Sequence, residues 1–205
     1  MTGADLSLGL LAVAALALIA VVVRRPSAAA TLGGRIAAFA ALFVLPGLVL
    51  LGGAVRHYEQ AKTTTFCLSC HRMEPWRESL HIDDPRFLPA AHYQNRRVPV
   101  DRACYTCHTN YTMFGGVDDK LRGVRHVWHN VWGTVSDPVE LYEPFENGAC
   151  LACHQGGRSY EEQAAHVPYL ADLREGTRSC VMCHNQVHEV AQLDRFPHWN
   201  PEAAR

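Results

Sequence analysis

One short pattern occurs four times in the 205-residue sequence and uses all eight of its cysteines. The four copies are Cys67-Leu-Ser-Cys70-His71, Cys104-Tyr-Thr-Cys107-His108, Cys150-Leu-Ala-Cys153-His154 and Cys180-Val-Met-Cys183-His184. In a Cys-x-x-Cys-His pattern, two thioethers attach a c-type haem and the adjacent histidine is placed to ligate its iron. The sequence therefore predicts four covalently bound haem c groups, each held by two cysteines and one histidine.

Zinc is the main alternative for the four cysteine pairs, because they could build two four-cysteine zinc sites. Zinc needs no histidine directly after the second cysteine, yet a histidine follows in all four copies. A redox disulfide within each pair is a further alternative, but nothing nearby resembles a thioredoxin fold. The repeated histidine favours haem over both alternatives.

The beginning of the chain is almost wholly apolar, whereas the remainder is polar and rich in histidine. Two charge-free runs, residues 6–23 and 36–55, are each close to the ~20 residues that cross a bilayer as a helix. The turn between them contains no acid and three arginines, Arg24, Arg25 and Arg35. The positive-inside rule places this turn in the cytoplasm, so both ends of the hairpin face outward.

A cleaved signal peptide is the alternative for the first run. The only charge ahead of that run is the acid Asp5, and no small-residue cleavage site is convincing. We therefore predict a retained transmembrane hairpin over residues 1–55, with a kink at Pro46, and a haem domain over residues 56–205. Because haem c is attached outside the cytoplasm, we expect this domain on the periplasmic face of a bacterial inner membrane.

The haem domain is predicted to be mostly helical and irregular, with essentially no sheet. About 150 residues for four haems are too few for an ordinary hydrophobic core, so the porphyrins are expected to form the core. The clearest helix is predicted over residues 118–133, capped by Asp118 or Asp119. A second short helix is predicted to begin near Ser159, with Glu162 completing a capping box.

The irons need at most four ligands beyond the histidines of the motifs. Eight histidines lie outside the motifs, namely His57, His81, His92, His126, His129, His166, His188 and His198. Met73 stands two positions after His71 and is either a core methionine beside a porphyrin or a thioether ligand of the first haem. The residues alone leave both readings of Met73 open.

Several stretches together resemble a known family. They are Phe66-Cys-Leu-Ser-Cys-His-Arg-Met73, His92-Tyr-Gln-Asn95, Lys120-Leu121, Val127-Trp-His-Asn-Val-Trp-Gly133 and His188. With the membrane anchor, they are similar to the NapC/NirT/NrfH family of membrane-anchored tetrahaem quinol dehydrogenases. The resemblance covers about residues 36–190, and its most specific part is the Cys-x-x-Cys-His-x-Met element at the first motif.

The resemblance implies a ligand set for the haems. Met73 looks like a ligand of the first haem, possibly instead of His71. The distal ligands of the later haems would come from His92, His166, His188 and, as a competing candidate, His129. His166 matches the nitrate-reductase-linked branch of the family, which places the chain nearer to the NapC/NirT branch than to NrfH.

The resemblance also implies a function, the quinol dehydrogenase half-reaction. Electrons would pass from menaquinol or ubiquinol in the membrane lipid, through the haems, to a periplasmic reductase or another membrane respiratory subunit. The family has an acid and, about two turns earlier, a lysine; here His126 stands for the acid and Lys120 is the nearest lysine. Both are predicted as acceptors of the quinol protons.

Two departures from the family pattern favour an alternative, a haem-wire subunit of a larger membrane respiratory complex without its own quinol site. The first is His126 in place of the acid, and the second is the additional first helix. The net charge of −1 indicates no nucleic-acid partner.

Overall fold

The chain is described by a computed structural model over residues 3–133, 136, 138–141 and 143–200, with the backbone alone at Ala28. The described chain divides into two compact units, the first ending at Gln60 and the second beginning at Ala61. Within these ranges, the structure is helical and irregular, as predicted.

Two long apolar helices form the first unit. Helix α1 spans Gly3–Arg24 and helix α2 spans Leu32–Gln60, and both are long and apolar enough to cross a membrane. A short 3₁₀ segment, Pro26–Ala30, joins them. The side chain of Thr31 caps α2 by accepting a hydrogen bond from the N–H of Gly34 at 3.1 Å, which satisfies one of the free N–H groups at the helix start.

Helix α2 contains a π turn over Ala40–Val44, directly before Pro46. Proline has no N–H, and its ring collides with the carbonyl four residues earlier in a regular helix. In the π turn, the N–H of Leu45 bonds instead to the carbonyl of Ala40, five residues back. The irregularity expected at Pro46 therefore takes the form of a widened turn just ahead of it.

The two helices of the first unit are antiparallel neighbours. At one end, the guanidinium of Arg56 pairs with the carboxylate of Asp5, with Nε 2.8 Å from Oδ1 and Nη2 3.0 Å from Oδ2. One turn away, a Cβ added to Gly52 would lie 3.0 Å from Cδ1 of Leu8, so the glycine allows a close approach of α1. This ion pair lies at the opposite end of the hairpin from the arginine-containing turn.

The second unit consists of short helices linked by irregular chain. In order, they are α3 (Thr64–Cys67), α4 (Glu74–Ser79), α5 (Leu88–Gln94), α6 (Ala103–Cys107), α7 (Gly115–Trp132), α8 (Asn147–His154), α9 (Arg158–Glu161) and α10 (Leu170–Glu175). Further 3₁₀ turns include His71–Met73, Val100–Arg102, Val167–Tyr169, Cys180–Met182 and Val190–Arg195. Only α7 exceeds eight residues among these described helices.

The hydrophobic core of the second unit is small. Its buried members are Ile82, Phe87, Ala90 and Leu193. The ring of Phe196 packs edge-on against Phe87, with centroids 4.8 Å apart, and an isolated antiparallel bridge joins Ile82 to His198. This segment near the end of the described chain therefore closes over the core.

Helix α7 begins three residues earlier than predicted, and neither Asp118 nor Asp119 caps it. Instead, Oδ2 of Asp119 accepts two hydrogen bonds of 2.7 Å, from Oγ1 of Thr109 and from the N–H of Asn110. The first residue of the helix is a glycine whose added Cβ would lie 1.9 Å from the carbonyl oxygen of Asn110. The helix can therefore start there only with glycine, close against the preceding loop.

Helix α9 begins one residue before Ser159, and the predicted capping box is wrong. Its N-cap residue is Gly157, and no side chain caps the helix. Glu162 forms an ion pair of 2.7 Å with Arg158 at the preceding turn instead of reaching back to the helix start. The arginine provides a stronger partner for this carboxylate than a backbone N–H would.

Candidate functional site

The four Cys-x-x-Cys-His motifs lie on short helical segments of the second unit. The first follows from α3, the second lies on α6, the third on α8, and the fourth on the 3₁₀ turn Cys180–Met182. All eight cysteines are described, and all are free thiols rather than disulfides. Within the described ranges, no group of three or more histidines, cysteines or acids is arranged to hold a metal ion by itself.

The motifs are neighbours in the order in which they occur in the sequence. Thiols of successive motifs interact in the pairs Cys67 with Cys104, Cys107 with Cys153, and Cys150 with Cys180. The hydrogen bond with Cys104 is the main cause that lowers the pKa of Cys67 to about 7. Burial is the main cause that raises the pKa of Cys150 to about 11. Attachment points of consecutive haems are thus close together.

Three motif histidines each face one of the predicted distal histidines. The ring centroids lie 6.2 Å apart for His108 and His188, 6.1 Å apart for His154 and His92, and 6.1 Å apart for His184 and His166. A metal about 2.0 Å from two imidazole nitrogens, each about 1.1 Å from its ring centre, would separate the centres by about 6.2 Å. The separations fit one bis-histidine iron between the members of each pair.

The hydrogen bonds of the three distal histidines also suit metal ligation. Their Nδ1 atoms lie 2.8 Å from the carbonyl oxygen of Leu88 for His92, 3.0 Å from that of Tyr160 for His166, and 2.6 Å from Oγ of Ser79 for His188. A carbonyl can only accept, so Nδ1 carries the proton in the first two cases. Such a bond orients the ring and leaves Nε2 for a metal, as is usual for ligating histidines.

The pKa values of both His108 and His188 are lowered. Burial lowers the pKa of His188 to about 4, with a further contribution from His108. Burial also lowers the pKa of His108, against an opposing effect of Asp119. Both rings are therefore neutral at pH 7, and the neutral imidazole is the form that binds a metal.

Buried polar atoms without a protein partner lie beside two of these pairs. They include Nε1 of Trp76, whose ring contacts His188 at 4.9 Å, and the hydroxyl of Tyr160, whose ring contacts His166 at 5.2 Å. A buried donor without an acceptor is unfavourable by about 1–3 kcal/mol. Donors of this kind fit a cofactor that carries acceptor groups, as a porphyrin does with its two propionates.

The first motif differs from the other three in that His71 belongs to none of the ring pairs described above. The side chain of His71 is 95% exposed, and its Nδ1 lies 3.3 Å from the carboxylate of Glu74. Met73, at the end of the same 3₁₀ turn, is half-buried. This contrast is compatible with the thioether as a ligand of the first haem, and the ligand of that haem stays a prediction.

Lys120 lies beside the first two motifs. Its Nζ donates a hydrogen bond to the carbonyl of Ala61 and stands 4.8 Å from the ring centre of Tyr105, inside the second motif. Its charge also contributes to lowering the pKa of Cys67, a thiol of the first motif. The sequence identifies Lys120 only as the lysine nearest to the position where the family has one. The structure brings its side chain close to the attachment point of the first haem.

His126 lies on the same helix but does not share a face with Lys120. Six residues of α-helix turn by about 600°, which leaves the two side chains about 120° apart. His126 is half-buried, and burial lowers its pKa, with smaller effects of His129 and Arg125. His129 is its neighbour one turn on, and is not in any of the three ring pairs described above. Its candidacy as a ligand stays a prediction.

Helix α7 carries an apolar stripe that faces outward. Its exposed members include Val117, Leu121, Val124, Val127, Trp128, Val131 and Trp132. Each is more than half exposed within the described structure. An apolar face of this length on a domain attached to membrane helices is typical of a surface that contacts lipid or another apolar partner.

Sequence reasoning did not find Ser79, Trp76, Tyr105 or Tyr160. Tyr105 carried one usable signal, its place inside the second motif. Ser79 and Trp76 lie on α4, just after the first motif. Both contact His188, which is more than a hundred residues away in the sequence. Such long-range contacts leave no spacing pattern in the sequence.

The chain is similar to known c-type cytochromes. A model of the N-terminal region of the NapC/NirT cytochrome c family matches residues 33–193. The cytochrome c-type protein NapC of Paracoccus pantotrophus is 24% identical over 75% of this chain and 70% of its own length. The denitrification system component NirT of Stutzerimonas stutzeri is 25% identical, covering 80% of this chain and 84% of NirT.

A putative tetraheme cytochrome-c type protein of Allochromatium vinosum is 25% identical over 72% of this chain and 89% of its own length. No solved structure gives a significant match. The family match covers well over half of the chain and includes all four motifs. The chain therefore belongs to the NapC/NirT cytochrome c family, whose members are membrane-anchored c-type cytochromes of electron transfer.

Proposed function

We propose that this chain is a tetrahaem quinol dehydrogenase subunit. It takes electrons from menaquinol or ubiquinol and passes them to a periplasmic reductase or another membrane respiratory subunit. The observation that carries this proposal is the set of three histidine pairs with centroids 6.1–6.2 Å apart, each joining a motif to one distal histidine. When bound, each haem supplies one-electron chemistry.

The ring pairs support one ligand assignment. His108 and His188 hold the second haem, His154 and His92 the third, and His184 and His166 the fourth. Met73 binds the first haem, with His71 or in its place. All-nitrogen ligation suits low potentials, whereas a thioether raises the potential of the first haem.

The contacts between motif cysteines support a continuous path for electrons. Cys67 is hydrogen-bonded to Cys104 and Cys150 to Cys180, while Cys107 and Cys153 interact electrostatically. An electron that enters at the first haem thus has a neighbour at every step to the fourth. The partner would receive it from the later haems.

The position of Lys120 supports quinol oxidation at the membrane surface. Lys120 is hydrogen-bonded to Ala61, the residue that follows α2 in the sequence. Ala61 comes six residues after the apolar run ends at Val55, so Lys120 is bonded to a residue close in sequence to the predicted membrane span. The ammonium of Lys120 would stabilise negative charge on a quinol oxygen near the first haem.

His126 is proposed as an acceptor of a quinol proton. Its lowered pKa keeps the imidazole neutral near pH 7, and only the neutral form can accept a proton. The separation of about 120° around α7 means that His126 and Lys120 would serve different oxygens or different steps. Protons would leave on the outer, periplasmic side.

The test uses the isolated full-length chain in mild detergent. Intact-mass spectrometry should find four covalent haems. A quinol analogue should then reduce them, with reduction by dithionite as the control for haem integrity. A chain without haem, or with bound zinc, would contradict the proposal, because electron transfer requires the haems.

A haem-wire subunit without a quinol site is the second candidate. It is favoured by the histidine at position 126 in place of the family's acid, and by the additional helix α1, which could dock a further membrane subunit. If dithionite reduces all four haems and quinol reduces none, the haem-wire function is the correct one.

A further inference from the structure

The hydroxyl of Ser79 makes two short contacts in the interior of the second unit. Ser79 is the last residue of α4 and is only 1% exposed. Its Oγ lies 2.7 Å from the carbonyl oxygen of Trp76 and 2.6 Å from Nδ1 of His188. A buried serine with two polar neighbours at these distances has a defined hydrogen-bonding role.

The direction of both bonds follows from counting protons. The carbonyl of Trp76 can only accept, so the single hydroxyl proton of Ser79 is directed to it. Oγ of Ser79 must then accept from His188, which places the ring proton on Nδ1. The chain of donors runs from His188 through Ser79 to Trp76, and it leaves the lone pair of Nε2 on His188 free.

The rotation of the His188 ring is constrained as well. The indole of Trp76 packs edge-on against it, with centroids 4.9 Å apart and planes at 78°. As a result, the rings of His188 and His108 are nearly parallel, with 18° between their planes. The other two histidine pairs are at 78° and 60°. Only the pair held by Ser79 has this near-parallel arrangement among the three.

The acceptor for His188 also differs in its origin. His92 and His166 bond to carbonyls of their own segments, at Leu88 and Tyr160. His188 bonds to a side chain 109 residues away, on the helix that directly follows the first haem motif. A side chain can be changed without altering the backbone, so this acceptor can be tested directly.

We propose that Ser79 is a positioning residue for the second haem. It accepts the Nδ1 proton of His188, orients Nε2 toward the iron opposite His108, and keeps the two ring planes nearly parallel. By accepting this proton it raises the basicity of the imidazole, which stabilises ferric iron and lowers the potential of that haem. The inference rests on the proposed ligation by His188.

The experiment compares three variants of the haem-loaded protein, Ser79→Ala, Ser79→Thr and Ser79→Val. Threonine and valine have the same shape, so the difference between them isolates the hydroxyl from the added methyl group. Thr177→Val is the matched control, because Oγ1 of Thr177 also donates to a backbone carbonyl, that of Asp172 at 3.2 Å, from an exposed position outside the four motifs. Electron paramagnetic resonance and a redox titration of the individual haems are the readouts.

Near-parallel imidazole planes give a rhombic low-spin ferric signal, whereas nearly perpendicular planes give a strongly anisotropic one. We expect one rhombic haem signal in the wild type, and we expect Ser79→Thr and Thr177→Val to retain it. Ser79→Ala and Ser79→Val should lose this rhombic signal and raise the potential of the same haem. A valine variant that matches the threonine variant in signal and potential would overturn the proposal, as would a threonine variant that loses both.

His188→Met separates this inference from the ligation on which it rests. If that variant leaves every low-spin signal and potential unchanged, His188 is not a ligand and the ligand assignment itself fails. If His188→Met alters one haem while the threonine and valine variants of Ser79 remain identical, only the role of Ser79 fails.

Discussion

At the scale of single residues, the predicted distal histidines differ in how far along the sequence their hydrogen-bond acceptors lie. His92 and His166 each bond to a carbonyl within their own segment, so local backbone sets their orientation. His188 requires a buried serine from another helix, and burial lowers its pKa to about 4. All three nevertheless lie at nearly the same separation from a motif histidine, and this separation would suit one iron between two imidazoles.

Replacing one distal histidine by methionine should raise the potential of one particular haem, because a thioether stabilises ferrous iron relative to an imidazole. His188→Met should affect the second haem, His92→Met the third and His166→Met the fourth. Spectropotentiometric titration of each variant checks this assignment, with His198→Met as a control outside the ring pairs. Unchanged spectra and potentials in all three would direct the search to His129, His81 and His57.

His126→Phe should slow haem reduction by a quinol analogue and leave reduction by dithionite intact, because phenylalanine cannot accept a proton. The pH dependence of quinol-driven haem reduction in the wild type should reflect the lowered pKa of His126. Proton acceptance needs neutral His126, so the rate should stay high as the pH falls below about 6.5 and decline only near the lowered pKa. Wild-type quinol rates in the phenylalanine variant would remove His126 from the mechanism.

At the scale of elements, Asp119 has a structural role that its neighbour Asp118 lacks. Asp119→Ala should destabilise the second unit by roughly 1–3 kcal/mol, since it leaves the hydroxyl of Thr109 and the N–H of Asn110 without their acceptor. Asp118→Ala is the matched control on the same turn and removes an exposed ion pair with Arg122, so it should change stability little. Denaturant unfolding measures both, and equal losses would contradict this reading.

The same helix indicates how far sequence reasoning reaches. The recurrence of Leu121, Val124, Trp128 and Val131 at helical spacing predicts α7 and nearly its bounds, because helical periodicity is local. Its first turn was predicted wrongly, since an acid near a helix start is ordinarily a cap, and here Asp119 instead holds the loop after the second motif. The histidine pairs could not be predicted individually, because they join residues that only tertiary packing brings together.

At the scale of the whole molecule, the distribution of arginines along the hairpin bears on its orientation in the membrane. The turn between α1 and α2 carries Arg24, Arg25 and Arg35, whereas at the other end Arg56 is compensated by Asp5. Arginines in a short loop resist transfer across the membrane, and three of them lie in this turn. The asymmetry therefore favours a single orientation, with the turn inside and the four motifs outside, where haem c is attached.

This orientation can be tested with two introduced cysteines. The eight native thiols would be consumed as thioethers in the haem-loaded protein, so an added cysteine would be the reactive one. Ser27→Cys, in the turn between the helices, should resist an impermeant thiol reagent in spheroplasts and react once the membrane is permeabilised. Ser159→Cys, at an exposed position of the second unit, should react in both conditions. Labelling of the cysteine at position 27 from outside, with protection of that at position 159, would show that the hairpin is inserted the other way.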